Sequence, residues 1–199
     1  MLKLIAIAAV VLVGGVLIAA ALRPDSFRVQ RSASIHAAPE QIFPLINDLR
    51  RFNTWNPFDK KDPNLKGSYS GAASGTGAAY AFAGNKTVGR GALEIIDSEP
   101  PSEVRMRLDM LAPFEAHNVV EFTLRPQGEA TRVTWAMDGR VPYFAKIIHL
   151  FFDMDGMIGK DFENGLAELK AIVESPAVKQ AVLTVQPAAR VQPATRAQP

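Results

Sequence analysis

Three histidines, His36, His117 and His149, are the first residues that could do acid–base or metal chemistry. None has a second histidine or a carboxylate at a metal-site spacing such as HExxH. By strand parity His117 falls with Glu121 on a charged outer face, and all three read as surface or locally satisfied side chains. Asp153–Gly156 (DMDG) opens like a calcium loop but lacks the third acidic position and the distal Glu, and it falls inside a helical pattern. GAASGTG at 71–77 lies between strands and opens no helix, which makes it a turn and not a phosphate cradle. Asn85-Lys86-Thr87 fits a glycosylation sequon, a short and frequent match, and there is no GxSxG. The chain has no cysteine, which excludes disulfides, zinc–thiolate sites and a Cys nucleophile. No catalytic set, metal or cofactor is expected.

The apolar residues carry more. TWNPFDKKDPN, Thr54 to Asn64, crowds Trp55 and Phe58 beside Pro57 and Pro63. Prolines exclude a helix interior or a central strand, while bulky aromatics are unfavourable in water. This predicts a rigid loop whose rings close or line a cavity mouth, with Asp59, Lys60, Lys61 and Asp62 as its wet rim. The other reading is a plug of the domain's end. Tyr80, Phe82, Met106, Phe122, Trp135 and Met137 fall on inward strand faces, with Phe144, Ile148 and Phe151 on a following helix. Flexible Met among aromatics suits an adaptable apolar pocket. Asn118 shares the inward parity, so its amide needs a backbone partner, a water or a polar ligand group. Phe151 and Phe152 are adjacent and cannot both face one core, so one is left for a lip, a membrane or a partner.

The elements that position these residues follow from periodicity. Phe27–Ile35 alternates as a first strand. Ala38-Pro39-Glu40-Gln41 opens an amphipathic helix with Pro39 in a tolerated first-turn position, and Pro44 is expected to end or kink it early. A second helical turn covers Leu49–Thr54. From Leu65 to Asp138, runs of period two alternate with turn signals at Gly71–Gly77, Gly84-Asn85, Glu99–Pro101, Ala112-Pro113 and Gln127-Gly128, which predicts an antiparallel sheet covered on one side. Apolar steps of three and four from Phe144 to Val173 predict one long helix over Pro142–Glu174.

The two ends differ in kind. Leu4–Leu22 is an uncharged apolar run that as a helix would measure roughly 28 Å, close to the hydrocarbon thickness of a bilayer. It is longer than the usual signal-peptide core, which favours a retained single-pass anchor over a cleaved leader, although Ala19–Ala21 resembles a cleavage site. Counting Lys and Arg places the domain on the cytoplasmic side, whereas insertion with a short N-terminal tail places it outside, so the side stays open. Residues 1–31 and residues 175–199 each carry a net +3; against the chain total of +2 this leaves −4 on residues 32–174. The pI near 9 therefore belongs to the ends, and nucleic acid is not an expected partner. After Ser175-Pro176 the composition turns to Ala, Val, Gln and Pro, a tail expected to be disordered.

Strand, two short helices, about six antiparallel strands and a long terminal helix make an α+β order. Five stretches are characteristic: APEQIFPLINDLRRFNTWNPF (38–58), DPNLKGSYSG (62–71), GTGAAYAFAGNKTVGRG (75–91), TRVTWAMDG (131–139) and KDFENGLAELK (160–170). Through them residues 27–174 resemble the helix-grip superfamily of START, polyketide cyclase and birch-pollen-allergen domains (SRPBCC), and within it the bacterial polyketide cyclase/dehydrase and lipid-transport-like members. The resemblance implies a curved sheet wrapped around the last helix with a partly filled space between. The domains expected are an anchor and linker over 1–26, the helix-grip domain over 27–174 and the tail over 175–199. The expected function is binding of a hydrophobic small molecule or lipid, lined by Trp55, Phe58, Tyr80, Phe82, Met106, Asn118, Phe122, Trp135, Met137, Phe144, Ile148 and Phe151. A polyketide cyclase/dehydratase-type enzyme and a non-catalytic interaction module are the alternatives.

Overall fold

A computed structural model describes residues 1–176. The tail expected over 175–199 lies, from residue 177 onward, outside the described residues, as does the side chain of His149. The apolar N-terminal run is α1, Leu2–Ala21, long and apolar enough to cross a membrane. Nearly all of it is exposed, and Ala20 is its one buried side chain among those described.

Ser26–Ile35 (β1) leads to α2, Pro39–Asn47, and α3, Leu49–Trp55. Pro44 is inside α2 and does not end it. Pro44 and Glu40 are both exposed, so the carbonyl that the missing N–H leaves unpaired lies on the helix's solvent side. Asp48 starts the next helix, its Oδ1 accepting from the Arg50 N–H at 2.9 Å. A 3-10 turn at Asp59–Lys61 precedes six strands: β2 Lys66–Gly71, β3 Ala78–Ala83, β4 Arg90–Glu99, β5 Glu103–Ala112, β6 Ala116–Gln127 and β7 Ala130–Arg140. Every expected turn signal falls between two of them. The sheet order is β1-β7-β6-β5-β4-β3-β2, antiparallel throughout. The β4–β5 register shifts twice, with Leu111 of β5 the extra residue at Arg90/Gly91 and Ile96 of β4 the extra residue at Ile95/Asp97, irregularities of the kind that bend a strand.

The expected single helix over Pro142–Glu174 is two: α4, Tyr143–His149, and α5, Met154–Val173. Asp153 restarts the helix, its carboxylate accepting from the Gly156 N–H at 2.9 Å, with Asp155 in the first turn. DMDG is thus a helix start rather than a helix interior. Apolar steps continue across Leu150–Asp153, which hides the break from a periodicity argument. The consequence is spatial: α4 packs on α1, while α5 lies along β1.

Polar contacts fix α5. The Arg31 guanidinium bonds Asp155 at 2.9 Å and Glu163 at 3.1 Å, and Gly159 leaves room for it because a Cβ there would sit 2.0 Å from Nη2. Lys170 donates to the Ser34 carbonyl at 2.7 Å, and Glu174 accepts from the His36 N–H at 2.8 Å. The core lies between sheet and helices, with Ile42, Ile46, Ile95, Val104, Leu166 and Leu169 fully buried.

Candidate functional site

The inward side chains form rows across the concave face of the sheet. One row runs Val104–Phe122–Trp135–Arg31, the next Ile95–Met106–Val120–Met137–Val29. A third runs Tyr80–Leu93–Leu108–Asn118–Gly139–Phe27, and a last short one holds Phe82, Gly91 and Met110. Burial falls along this series. Val104, Phe122 and Met106 are fully out of water, whereas Leu108, Phe27, Phe82 and Met110 are only half-buried. The half-open rows lie at the end of the sheet from which α1 leaves, because Ser26 of β1 pairs with Arg140 of β7 just beyond them.

Aromatic rings close the opposite end. Trp135 stacks on Phe162 of α5 with centroids 4.2 Å apart and planes 9° apart. Phe52 and Trp55 of α3 meet each other edge-on at 4.9 Å and meet Phe122 and Trp135 edge-on at 5.7–6.2 Å, a favoured aromatic geometry. Trp55 is completely buried and its Nε1–H donates to the Leu45 carbonyl at 2.9 Å. Trp55 is out of water and packs as part of the closed end of the core. The Trp135 indole N–H is buried beside it without a hydrogen-bond partner among the described residues.

Phe58, half-buried, packs against Trp135 at 6.5 Å. The wet rim expected after it is partly wrong. Lys60 and Lys61 do reach outward, pairing with Glu168 and Asp161 of α5 at 3.3 and 2.6 Å. Asp62 is buried and accepts from the backbone N–H groups of Asn85 and Asn64 at 2.6 and 2.9 Å. Asp59 accepts the Tyr80 phenol at 2.9 Å and the Asn56 amide at 3.2 Å. Burial pushes the Asp59 carboxyl above its ordinary range, against the Tyr80 hydrogen bond. Burial first, then the hydrogen bond to Asp59, pushes the Tyr80 phenol well above its ordinary value. Its proton therefore stays through the neutral range, so Tyr80 is a donor here.

Of the residues expected to line the cavity, Tyr80, Phe82, Met106, Asn118, Phe122, Trp135 and Met137 share the concave face, with Trp55 and Phe58 packed on it. Phe144, Ile148 and Phe151 do not join them. The break before α5 carries α4 off the sheet and onto α1, and it leaves Phe144 and Phe151 facing out. Phe52 and the inward turn of Asp59 had been missed. The signal for Phe52 was the spacing Leu49, Phe52, Trp55 after a capping Asp48.

Two concavities among the described residues lie outside the sheet–helix core. One, of about 530 Å³, runs along the outer side of α5 between Pro57, Lys60, Lys61 and Asn164, Ala167, Ala171. The other, of about 280 Å³, lies at the β2 edge near Arg50, Tyr69 and Ala72. The protein's own rings fill the concave face at the far end, while the inward side chains at the near end stay half-buried. Among the described residues no three His, Asp or Glu side chains gather as metal ligands do.

Comparison with known proteins agrees with this architecture. No curated protein matches by sequence. A protein from Mesorhizobium loti is similar in structure with a TM-score of 0.55 at 16% identity, over 74% of this chain and 97% of its own. Protein CV1439 from Chromobacterium violaceum gives 0.53 at 16% identity, over 77% and 99%. Ara h 8.0201 gives 0.52 at 6% identity, over 74% and 97%. At such identities the likeness establishes the fold alone. The family model described as polyketide cyclase / dehydrase and lipid transport matches residues 26–174, and the chain belongs to that family of the SRPBCC superfamily.

Proposed function

We propose that the chain is a membrane-tethered binder of an apolar small molecule or lipid, seated on the α1-proximal half of the concave face. The observation that carries this is the burial gradient: inward Leu108, Phe82, Met110 and Phe27 stay half-exposed while the same faces are closed farther along the strands. Large apolar side chains arranged on a concave surface and left in contact with water are what an apolar ligand would cover. Asn118, held over Gly139, is the polar group available to orient it. The family description, which includes lipid transport, supports the same reading, as does α1, which holds the open end beside the phase where such ligands dissolve.

The cyclase/dehydratase reading has one observation of its own, the hydrogen-bonded Asp59–Tyr80 pair, both members titrating above their ordinary ranges. The test uses full-length protein and an apolar naphthalene-type fluorophore. Leu108→Arg, which sets a charge among apolar rows, is expected to abolish dye binding, and Tyr80→Phe to preserve it. Equal binding by wild type and Leu108→Arg would overturn the site. Conversion of a polyketide-type substrate that Tyr80→Phe abolishes, with dye binding intact, would move the assignment to the enzyme.

A further inference from the structure

We propose that the end of the domain beside α1 is a bilayer-docking face, with the aromatic side chains of α4, of the segment after it and of the β5–β6 turn seated in the lipid interface. This rests on the reading of α1 as a membrane span and assigns a role to side chains that neither the core nor the ligand face uses. Beyond Leu22, the large apolar side chains left exposed among the described residues are Leu111 at the end of β5, Phe114 in the β5–β6 turn, Tyr143 and Phe144 in α4, and Phe151, Phe152 and Met157 around the start of α5. The strand register gathers the first four at one end. Ser26 pairs with Arg140 and Asn118 with Gly139, so the β5–β6 turn, the exit from β7 into α4 and the chain arriving from α1 are neighbours. The turns at the other end carry Glu99, Glu103, Gln127 and Glu129, and no exposed large apolar side chain among the described residues.

Depth follows from one hydrogen bond. The Tyr143 hydroxyl donates to the Leu17 carbonyl at 2.8 Å. Leu17 precedes Leu22, the end of the apolar run, by about 7.5 Å of helix axis. With α1 across a bilayer, the Tyr143 hydroxyl therefore reaches below the end of the apolar run, and the start of α4 lies against the membrane boundary, the zone where tyrosine and tryptophan rings concentrate. Lys146 fixes α4 there: its buried ammonium donates to the Arg23 carbonyl at 2.8 Å and pairs with Asp25. Swinging α4 away would strip a buried charge of its partners. Phe144 is 66% exposed, and Phe151 and Phe114 are each 69% exposed. Apolar faces of this kind, held level with a membrane surface, insert among the headgroups. Of the covers available to the patch, the bilayer is the one that α1 already enters.

The chain has no cysteine, so single-cysteine variants are unambiguous. Full-length Phe114→Cys, Phe151→Cys, Leu12→Cys and Glu129→Cys, each carrying a nitroxide, would be reconstituted in phosphatidylcholine/phosphatidylglycerol vesicles. Collision of each label with oxygen would be compared with collision with a water-soluble nickel chelate. The expected result is that labels at 114 and 151 favour oxygen, as the label at 12 does, while the label at 129 favours the chelate. If 114 and 151 read as aqueous as 129 while 12 reads embedded, the span stands and the docking face is overturned. Shielding of 114 and 151 from both reagents overturns it in favour of a protein cover such as a second copy. An aqueous reading at 12 overturns the span itself, and the docking face then stands only if 114 and 151 still favour oxygen.

Discussion

Trp55→Ala removes a fully buried ring together with its bond to the Leu45 carbonyl. The expected loss is about 3–5 kcal/mol of unfolding free energy, the range for emptying a large aromatic site. Chemical denaturation of the variant checks it, and an unchanged midpoint would return Trp55 to the mouth. The surrounding sequence misleads at this residue because Pro57 and Pro63 suggest a loop. Trp55 is the last residue of α3, and helical spacing from Leu49 and Phe52 sets its direction. Asp59 shows the complementary failure. Its charge argues for water, yet Tyr80, brought in by strand pairing far along the chain, supplies the donor that lets it turn inward. Side-chain direction in a loop depends on such distant partners, and no local pattern encodes them.

Elements were more legible than residues. The six later strands follow from alternation and glycine or proline punctuation, as do the inward parities read for β3, β5, β6 and β7, because a sheet with one wet face writes its period into the sequence. The division into α4 and α5 did not follow, since hydrophobic steps continue across it and only the capping chemistry of Asp153 marks it. Asp153→Ala should therefore destabilise the domain by about 1 kcal/mol, with helicity lost from the start of α5. A shift in the denaturation midpoint with backbone exchange raised at Met154–Met157 is the expected signature. Exchange raised instead over α4 would show that Asp153 serves the connection and not the cap.

For the whole molecule, the grip of α5 on β1 sets an acid limit. The Arg31 guanidinium holds Asp155 below the usual carboxylate range, and the His36 backbone N–H does the same for Glu174. A depressed folded value contributes stability above the unfolded value and loses it as pH falls through the folded one. Both contributions are therefore expected to be intact at neutral pH and to fade below the ordinary values of 3.8 and 4.5. His117 works in the other sense. Its hydrogen bond with Asp109 raises it above 6.5, so its small contribution is present below that value and is lost as pH rises through the folded one. Urea midpoints recorded from pH 3 to pH 8 should rise modestly at the acid side, since both carboxylates are close to solvent. Arg31→Gln should flatten the Asp155 part of that rise while leaving the part from Glu174.

The sheet joins its first strand to its last, residue 26 facing residue 140. During translation β1 leaves the ribosome early and has no neighbour until β7 follows roughly 100 residues later, an interval on the order of ten seconds at about 5–20 residues per second. Throughout that time the strand's unpaired edge stands next to α1 with Arg28 and Arg31 among its side chains, and like charges of this sort discourage strands of two nascent chains from joining. Synthesis order alone thus makes α1 the first part of the chain to find its surroundings and β1 the last strand to be satisfied.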